Sequence, residues 1–557
     1  MAVLDWVILL GTLLFIVIYG YWKTRGVETS HSYFKGDENT KWWTVGLSVM
    51  ATQASAITFM STPGQAFFDG MGFVQIYFGL PIAMVIICIT FIPLFHKLKV
   101  YTAYEFLEKR FDLKTRLLTA ILFLIQRGLA AGITIYAPAI ILSTILGWNL
   151  NLLNILLGLL VILYTVSGGS KAVNITQKQQ MFIIIGGMFF VFFYTLHHIS
   201  PGLRFNEVIQ MASAAGKTNI IDFSFDIENR YTIWSGIAGG FFLSLSYFGT
   251  DQSQVQRYLS GNSIQQSRLG LIFNGLLKVP MQFFILLTGV IVFVFFQFNQ
   301  APIFFNSGVT QKMETSVNAK EWDKLNNTND SLYLLKNSII QNTKQDKQKH
   351  YTQLEKIWEQ EKELKKKSTD LISGTLPEEE TNDKDYVFIY YILNYIPNGL
   401  IGLLLAVIFS AAMSSTSAEL NALATTTTVD IYKRNIIKNG DDKHYLTMSK
   451  LFTVIWGVLA ILFACWGTLF ENLIQLVNIV GSIFYGTILG IFIIAFYIRR
   501  FQGSEVFAGA VTAQIMVLSI YFTTEIGYLW LNAIGCFAVI IISTLYRIFQ
   551  RFSLRLI

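Results

Sequence analysis

Apolar runs of about 20 residues recur along almost the whole chain, and they constrain its fold more than any other feature of the sequence. In a bilayer each backbone N–H and C=O must find a partner inside the protein, so such runs fold as spanning helices. The predicted spans begin near Val3, Trp42, Phe73, Leu117, Leu152, Gln180, Thr232, Leu271, Tyr391, Leu451, Leu473, Val506 and Tyr528. The sequence therefore predicts an all-α membrane protein with about thirteen transmembrane helices.

The composition excludes the soluble classes of protein. Of the 557 residues, 53% are hydrophobic and only 14% are charged, and the mean hydropathy is +0.49. No small-residue cleavage site follows the first apolar run, so we expect it to be retained as a helix. The net charge of +7 resides mainly in loops between spans. That placement is typical of membrane orientation and gives no reason to expect a nucleic-acid partner.

Basic residues alternate between loops and predict how the chain lies in the membrane. Lys and Arg crowd the loop at 433–450 and the pair Arg499 and Arg500, whereas the loops near Asn149 and Thr524 contain neither. By the positive-inside rule, the N-terminus is predicted to be extracytoplasmic and the C-terminus cytoplasmic. We expect a multi-pass protein of a cell membrane, most simply a bacterial inner membrane.

The sequence argues against enzymatic, redox and ATP-driven functions. The three cysteines lie in apolar segments without a CxxC spacing, and the six histidines lie in loops or near span ends, where no facing pair could ligate haem. There is no Walker loop. We predict neither an enzyme nor a protein with an organic cofactor.

Two small, polar stretches interrupt the apolar pattern, one in each half of the chain. Residues 411–428 read AAMSSTSAELNALATTTT, and residues 51–64 read ATQASAITFMSTPG. Hydroxyl groups in a membrane helix face a polar partner or bond back to their own helix, where they simply permit close packing. Two such stretches far apart in sequence indicate a polar site built between the halves.

Several motifs resemble the sodium/solute symporter family. SYFGTDQSQVQRYLSG at 246–261 is similar to the family signature. GLSVMATQASAITFMSTPG, ITIYAPAIILS, VSGGSKAVNITQKQQ and SSTSAELN resemble other family segments in the same order. The resemblance covers about residues 1 to 550 and leaves 302–385 as an unusual hydrophilic insertion, in which the charge pattern indicates a helical hairpin.

The resemblance implies a leucine-transporter-like fold, in which two inverted five-helix repeats carry broken helices. It divides the chain into an N-terminal extra helix at 1–25, a first repeat at 42–200, a second repeat at 231–500 that contains the insertion, and C-terminal extra helices at 504–557.

A sodium site follows from the same resemblance. In the family, sodium is held by backbone carbonyls of an unwound helix and by hydroxyls of a facing helix, which suits the oxygen preference of the ion. The matching positions here are Ala51, Ala54, Ala411, Ser414 and Ser415. Small residues at tight helix crossings would produce the same sequence.

A second sodium site found in some family members is not matched. Gln177 replaces the aspartate of the family's TDxxQ pattern. Of two further hydroxyl positions, Ser417 is present and Ala418 replaces the other. Loss of a carboxylate and a hydroxyl weakens a cation site, so we expect one sodium ion per cycle. Lys178 raises an alternative, a proton-coupled or ion-independent permease of the same fold, although a lysine there can also extend to water.

The positions that match the family's solute site are Ser55, Thr58, Ser244, Tyr247 and Lys278. Gln75 follows the broken helix and is expected to reach this site as well. Arg127 is a candidate anchor for a carboxylate. It aligns about one helical turn from the arginine that sialic acid transporters use. The alternative is that Arg127 lies near the cytoplasmic end of its span and extends to water. We predict a sodium-coupled symporter of a small polar organic solute, with organic anions, amino acids, polyols and sugars all left open.

Overall fold

A computed structural model describes residues 1–24, 29–35, 40–200, 203–341, 347–379, 381–466 and 472–556. These residues form helices joined by turns, and the only β-type pairing among them is an isolated bridge between Thr40 and Gly261. Ten stretches are long and apolar enough to cross a membrane. The predicted all-α membrane fold is confirmed, while the count of about thirteen spans stays a prediction. The predicted boundary at residue 25 lies outside the described residues.

The described residues form 22 α-helices, which we number in order. Those before the insertion are α1 (Val3–Thr24), α2 (Ser30–Lys35), α3 (Trp42–Gln53), α4 (Ala56–Asp69), α5 (Leu80–Ile89), α6 (Phe91–Leu98), α7 (Glu105–Arg110), α8 (Leu113–Leu146), α9 (Leu150–His198), α10 (Phe205–Ala214), α11 (Gly240–Thr250), α12 (Gln252–Leu259) and α13 (Ile264–Phe298). The insertion contains α14 (Ser307–Glu314), α15 (Ala319–Gln341) and α16 (Lys347–Thr375). The remaining helices are α17 (Val387–Tyr395), α18 (Leu400–Thr426), α19 (Asp442–Trp466), α20 (Leu473–Tyr497), α21 (Gly503–Thr523) and α22 (Tyr528–Leu556).

Short 3₁₀ and π segments extend some of these helices. The 3₁₀ segments are Gly70–Tyr77 and Lys384–Tyr386, and the π segments are Ser235–Gly239 and Thr427–Ile436. The second π segment continues α18 toward the basic loop that follows it.

Two membrane helices are broken, as the family resemblance implies. Helix α3 ends at Gln53 and α4 begins at Ala56, because Ala54 (φ −84°, ψ 75°) and Ser55 (φ −78°, ψ 174°) leave the helical region. Helices α11 and α12 are separated by Asp251 alone (φ −76°, ψ 120°). At each break the backbone loses helical hydrogen bonds, which exposes polar groups inside the protein.

A kink at Gly169 divides α9 into the two spans that the sequence predicts. Gly169 has φ 52° and ψ −150°, a conformation that L-residues rarely adopt. A Cβ atom at this position would lie 2.6 Å from the ring of Tyr33 in α2. Glycine therefore permits both the turn of the chain and the close approach of α2.

One predicted span begins later than expected. The span predicted to start near Tyr391 instead begins with α18 at Leu400, and Tyr391 belongs to the separate short helix α17. Pro397 follows α17 closely and cannot donate a backbone hydrogen bond, so a continuous helix is unfavourable there. Gly399, with φ 90°, then turns the chain into α18.

Helix α1 packs against α18 and contributes a buried carboxylate to its first turn. Oδ1 of Asp5 accepts hydrogen bonds from the backbone N–H groups of Gly399 (2.5 Å) and Gly402 (3.1 Å), and Asp5 is fully buried. These donors have no partner within a helix, and negative charge is favourable at this end of the helix dipole. The carboxylate of α1 thus stabilises the start of α18.

The insertion folds as the predicted helical hairpin and packs against the end of α13. Helices α15 and α16 contact each other. The indole Nε1 of Trp358 donates to Oε1 of Gln297 (2.9 Å), and the hydroxyl of Tyr333 donates to the carbonyl of Phe298 (3.2 Å). The hairpin also has its own apolar cluster around Trp322. We refer to this end of the molecule as the insertion side.

Candidate ion and solute site

The five residues predicted to bind sodium are all buried where α18 meets the first broken helix. Helix α18 packs against both α3 and α4, and each of the five residues is at most 1% exposed. Ala51 lies in the last turn of α3 and Ala54 lies in the break. Ala411, Ser414 and Ser415 lie in the middle of α18.

The two serines of this set differ in their hydrogen bonds. The hydroxyl of Ser415 donates to the carbonyls of Ala411 (3.0 Å) and Ala412 (3.2 Å). The hydroxyl of Ser414 is buried and has no hydrogen-bond partner among the described residues. A buried, unpaired hydroxyl costs about 1 to 3 kcal/mol, which a bound cation would offset. Ser414 is thus the ligand candidate with the strongest structural support.

Gln177 fills the position where some family members have an aspartate. Its Oε1 accepts a hydrogen bond from the hydroxyl of Ser48, and its Nε2 donates to Oγ1 of Thr52 (3.0 Å). Thr52 in turn donates to the carbonyl of Ser48 (2.9 Å). A neutral amide therefore joins α9 to α3 without a cation. Ala418 is fully buried, while the hydroxyl of Ser417 has no partner among the described residues.

Lys178, the residue of the alternative proton-coupled mechanism, is only partly buried. Its Nζ lies 4.9 Å from the ring centroid of Trp43, which is 37% exposed and sits at the start of α3. A cation that packs on an exposed indole remains accessible to water. This position favours the extended, solvated lysine over a buried proton carrier.

A cavity lies beside the first break and between the two halves of the chain. It brings together five of the predicted solute residues, namely Ser55, Thr58, Arg127, Ser244 and Tyr247. The other lining residues are Thr52, Gln53, Ile57, Ile76, Tyr77, Thr134, Leu243, Phe248, Glu419, Ile474, Val477, Asn478 and Tyr485. Apolar walls with a few convergent polar groups are typical of small-molecule sites.

Two predicted solute residues do not line this cavity. Gln75 is buried in a structural role, because its Nε2 donates to the carbonyl of Tyr231 (2.9 Å) and its Oε1 accepts from the backbone of Asp222 (3.2 Å). Lys278 is fully buried, and its Nζ lies 5.7 Å from the centroid of the ring of Tyr77. Tyr77 lines the cavity and Lys278 does not.

Arg127 is buried, at 3% exposure, so its side chain does not extend to water as the alternative of a position near the cytoplasmic end requires. Its guanidinium forms ion pairs with Asp251 and with Glu419 (3.0 Å), and it donates to the hydroxyl of Tyr485 (2.5 Å). The guanidinium also lies 5.3 Å from the ring centroid of Tyr247. Arg127 is therefore already paired with two carboxylates of the protein.

Sequence reasoning missed Glu419 and Asp251, the two carboxylates that pair with Arg127. Both carboxylates are buried, and Glu419 lines the cavity. A signal was available, since an ionisable residue inside an apolar span is a functional candidate by default. Each lies within a motif that resembles the family, Asp251 in residues 246–261 and Glu419 in SSTSAELN.

Two broken membrane helices around a polar cavity are typical of one class of protein, the secondary transporters. A family model described as the Sodium:solute symporter family matches residues 33–320 and 372–516. The chain belongs to the sodium:solute symporter family. It is accordingly a sodium-coupled symporter of a small solute, and sodium is its coupling ion.

Individual relatives support this assignment over most of the chain. The sodium/sialic acid symporter SiaT of Proteus mirabilis (strain HI4320) is 25% identical over 559 residues, which covers 97% of this chain and 94% of the relative. The human sodium/iodide cotransporter is 31% identical over 273 residues, covering 49% of this chain and 42% of the relative. A solved substrate-bound, outward-open Na⁺-coupled sialic acid symporter shares the fold, with a TM-score of 0.75, 24% identity, and coverage of 98% and 97%.

Proposed function

We propose that this symporter imports one small polar organic solute with one sodium ion per cycle. The observation that carries the proposal is the buried Ser414 hydroxyl, which lacks a partner among the described residues. It lies on α18, and this helix packs against the α3–α4 pair that is broken at Ala54. Hydroxyls and unwound carbonyls supply the oxygen ligands that sodium requires. The stoichiometry of one is supported by Gln177, whose amide groups are already bonded to Ser48 and Thr52.

The proposed cycle is an alternating-access mechanism. Sodium at Ala51, Ala54, Ala411, Ser414 and Ser415 favours the conformation in which the cavity accepts the solute. Because the coupling free energy between two ligands is reciprocal, the solute also tightens sodium binding. We further propose a bacterial inner membrane as the location, with the insertion side facing outward and the C-terminus facing the cytoplasm.

The solute is bound in the cavity by Ser55, Thr58, Ser244 and Tyr247 in this proposal. Named relatives carry sialic acid or iodide, and others are sodium-coupled monocarboxylate transporters. Those names describe the relatives.

The test is thermal unfolding of the purified protein with a panel of sugars, sialic acids, monocarboxylates, amines and amino acids, each in sodium and in potassium. A ligand that binds only the native state raises its stability. We expect sodium to stabilise the protein and one class of solute to add to that effect only in sodium. Equal effects in both salts, stronger at low pH, would support the Lys178 mechanism instead.

A further inference from the structure

A buried group of three charges at the solute cavity carries more negative than positive charge. Arg127 contributes one positive charge, and its two ion-pair partners, Asp251 and Glu419, contribute two negative charges. Arg127 and Glu419 line the cavity and are 3% and 6% exposed. A buried charge without a counter-charge is costly. With both carboxyls ionised the group carries one net negative charge, which a cation beside Glu419 would balance.

Other described residues near Glu419 do not supply that charge. Its Oε2 accepts a hydrogen bond from the hydroxyl of Thr134 (3.1 Å), which is neutral. Lys278 lies over the ring of Tyr77 and does not line the cavity. The side chain of Glu419 thus contacts Arg127, Thr134 and the cavity.

The coupling ion is also a poor candidate for this counter-charge. Glu419 lies four residues after Ser415 on α18, one helical turn beyond the proposed sodium residues. None of the five proposed sodium residues lines the cavity, whereas Glu419 does. The carboxylate therefore faces the solute rather than the sodium ligands.

Aromatic rings surround the same space. Tyr77, Tyr247, Phe248 and Tyr485 line the cavity. The centroid of Tyr247 lies 4.8 Å from that of Phe248 and 5.9 Å from that of Tyr485. Ring faces attract cations, and aromatic cages recognise quaternary ammonium groups. Two of these rings already have protein cations against them, since Arg127 lies over Tyr247 and Lys278 over Tyr77.

An organic anion would bind unfavourably in this cavity. The guanidinium of Arg127 is engaged by two carboxylates and by the hydroxyl of Tyr485. A carboxylate on the solute would have to compete with those groups and would add a second negative charge to the surplus. The anionic solutes named for the relatives therefore do not suit this wall.

We infer that the solute is a small organic cation whose ammonium group lies beside Glu419 among the aromatic rings. The inference rests on the proposed symport function and names its substrate class. Glu419 is then the residue that determines specificity for charge. The hydroxyls of Ser55, Thr58 and Ser244 line the cavity too and suit a polar group on the same solute.

The experiment compares probes that differ only in charge. Thermal unfolding and competition for uptake are measured with choline, with its neutral carbon isostere 3,3-dimethyl-1-butanol, with ethanolamine, and with lactate and N-acetylneuraminate as anions, in sodium and in potassium. We expect an ammonium probe to act only in sodium, at a concentration about tenfold lower than the neutral isostere. This comparison uses the unaltered protein and so does not depend on any variant folding.

A substitution then assigns the preference to one side chain. Glu419→Gln is expected to lower the preference for the ammonium probe over its isostere to about onefold. The matched control is Glu505→Gln, because Glu505 is also buried, at 5% exposure, but lies in α21 and does not line the cavity. The control variant should keep the preference.

Four results would each overturn the inference while sodium symport stands. With the unaltered protein, two results would do so: sodium-dependent binding of only the anions or neutral compounds, or no response to any ammonium probe. With Glu419→Gln, the other two are an unchanged preference for the ammonium probe, or a raised sodium requirement with that preference intact. The last result would place Glu419 in the ion site. Failure of sodium itself to stabilise the protein relative to potassium would instead contradict the proposed function.

Discussion

The two breaks in the membrane helices differ in how their polar groups are satisfied. At the first break, between α3 and α4, the backbone at Ala54 and Ser55 leaves the helix and no charged side chain replaces the lost bonds. At the second, Oδ1 of Asp251 accepts from the backbone of Ser253 (2.9 Å), while Oδ2 bonds Arg127 and Tyr485. The first break is suited to receive an ion, and the second is stabilised by the protein's own charges.

The largest expected effect comes from removing the charge at the second break. Asp251→Ala should destabilise the protein by several kcal/mol, because the buried donors of Arg127, Tyr485 and Ser253 lose their acceptor at about 1 to 3 kcal/mol each. Uptake should be lost with it. The control is Ser253→Ala, which removes a local contact to Asp251 and should cost about 1 kcal/mol. Equal thermal stability of the two variants would contradict the comparison.

The second effect concerns the insertion-side end of the first broken helix. Asp385 accepts a hydrogen bond from the backbone of Leu473 (3.0 Å), at the start of α20, a helix that also packs against α4. Burial raises the pKa of Asp385 from 3.8 to about 6. The folded state then binds a proton that the unfolded state releases, so this group's contribution to stability falls as pH rises from about 4 to about 7.

Asp385→Asn should remove that pH dependence. At pH 7.5 the variant should be more stable than the unaltered protein, by up to about 3 kcal/mol, since an amide pays no cost of charge burial. At pH 4 the two should unfold at nearly the same temperature. Asp370, which is exposed on α16, provides the control substitution to Asn and should leave the pH profile unchanged. A parallel profile for Asp385→Asn and the unaltered protein would show that the carboxyl is not buried as described.

A smaller effect tests whether sodium binds at the first break. Ser414→Ala and Ser415→Ala should each raise the sodium concentration for half-maximal uptake by about tenfold, or about 1.4 kcal/mol. The matched control is Thr416→Ala, because the Thr416 hydroxyl donates to the carbonyl of Ala412 (2.9 Å) and belongs to no proposed site. If all three variants shift the sodium dependence equally, the effect reflects packing of α18 and not ion binding.

The smallest expected change tests the sodium stoichiometry. The double substitution Gln177→Asp with Ala418→Ser restores the carboxylate and the hydroxyl that the second sodium site of some relatives uses. We expect the Hill coefficient for sodium in uptake to rise from about 1 to above 1, because a carboxylate beside hydroxyls is a far better cation ligand than an amide. A coefficient above 1 in the unaltered protein would contradict one sodium per cycle.

The sequence predicted the parts of the molecule that depend on local pattern. The hydrophobic runs predicted the membrane helices. Ser414 and Ser415, which lie in the polar stretch at residues 411–428, are buried in α18. The sequence could not show that Arg127 meets Glu419, because the pair is separated by 292 positions and forms only when α8 packs against α18. Nor could it show that the side chain of Gln75 forms hydrogen bonds with the backbone of Tyr231 and Asp222, which lie in another segment. Contacts between residues far apart in the sequence depend on how deep each helix lies in the membrane and how it is rotated about its axis. Hydrophobic periodicity does not determine either quantity.

The carboxylate of Asp5 has a consequence for how this chain can vary. It joins α1 to the start of α18, and a Cβ atom at Gly402 would lie 2.1 Å from the backbone oxygen of Asp5. The three positions Asp5, Gly399 and Gly402 therefore restrict one another. A mutational library that randomises α18 alone would vary its first turn against an unchanged α1, where most side chains do not fit at Gly402. Helices α1 and α18 should therefore be diversified together.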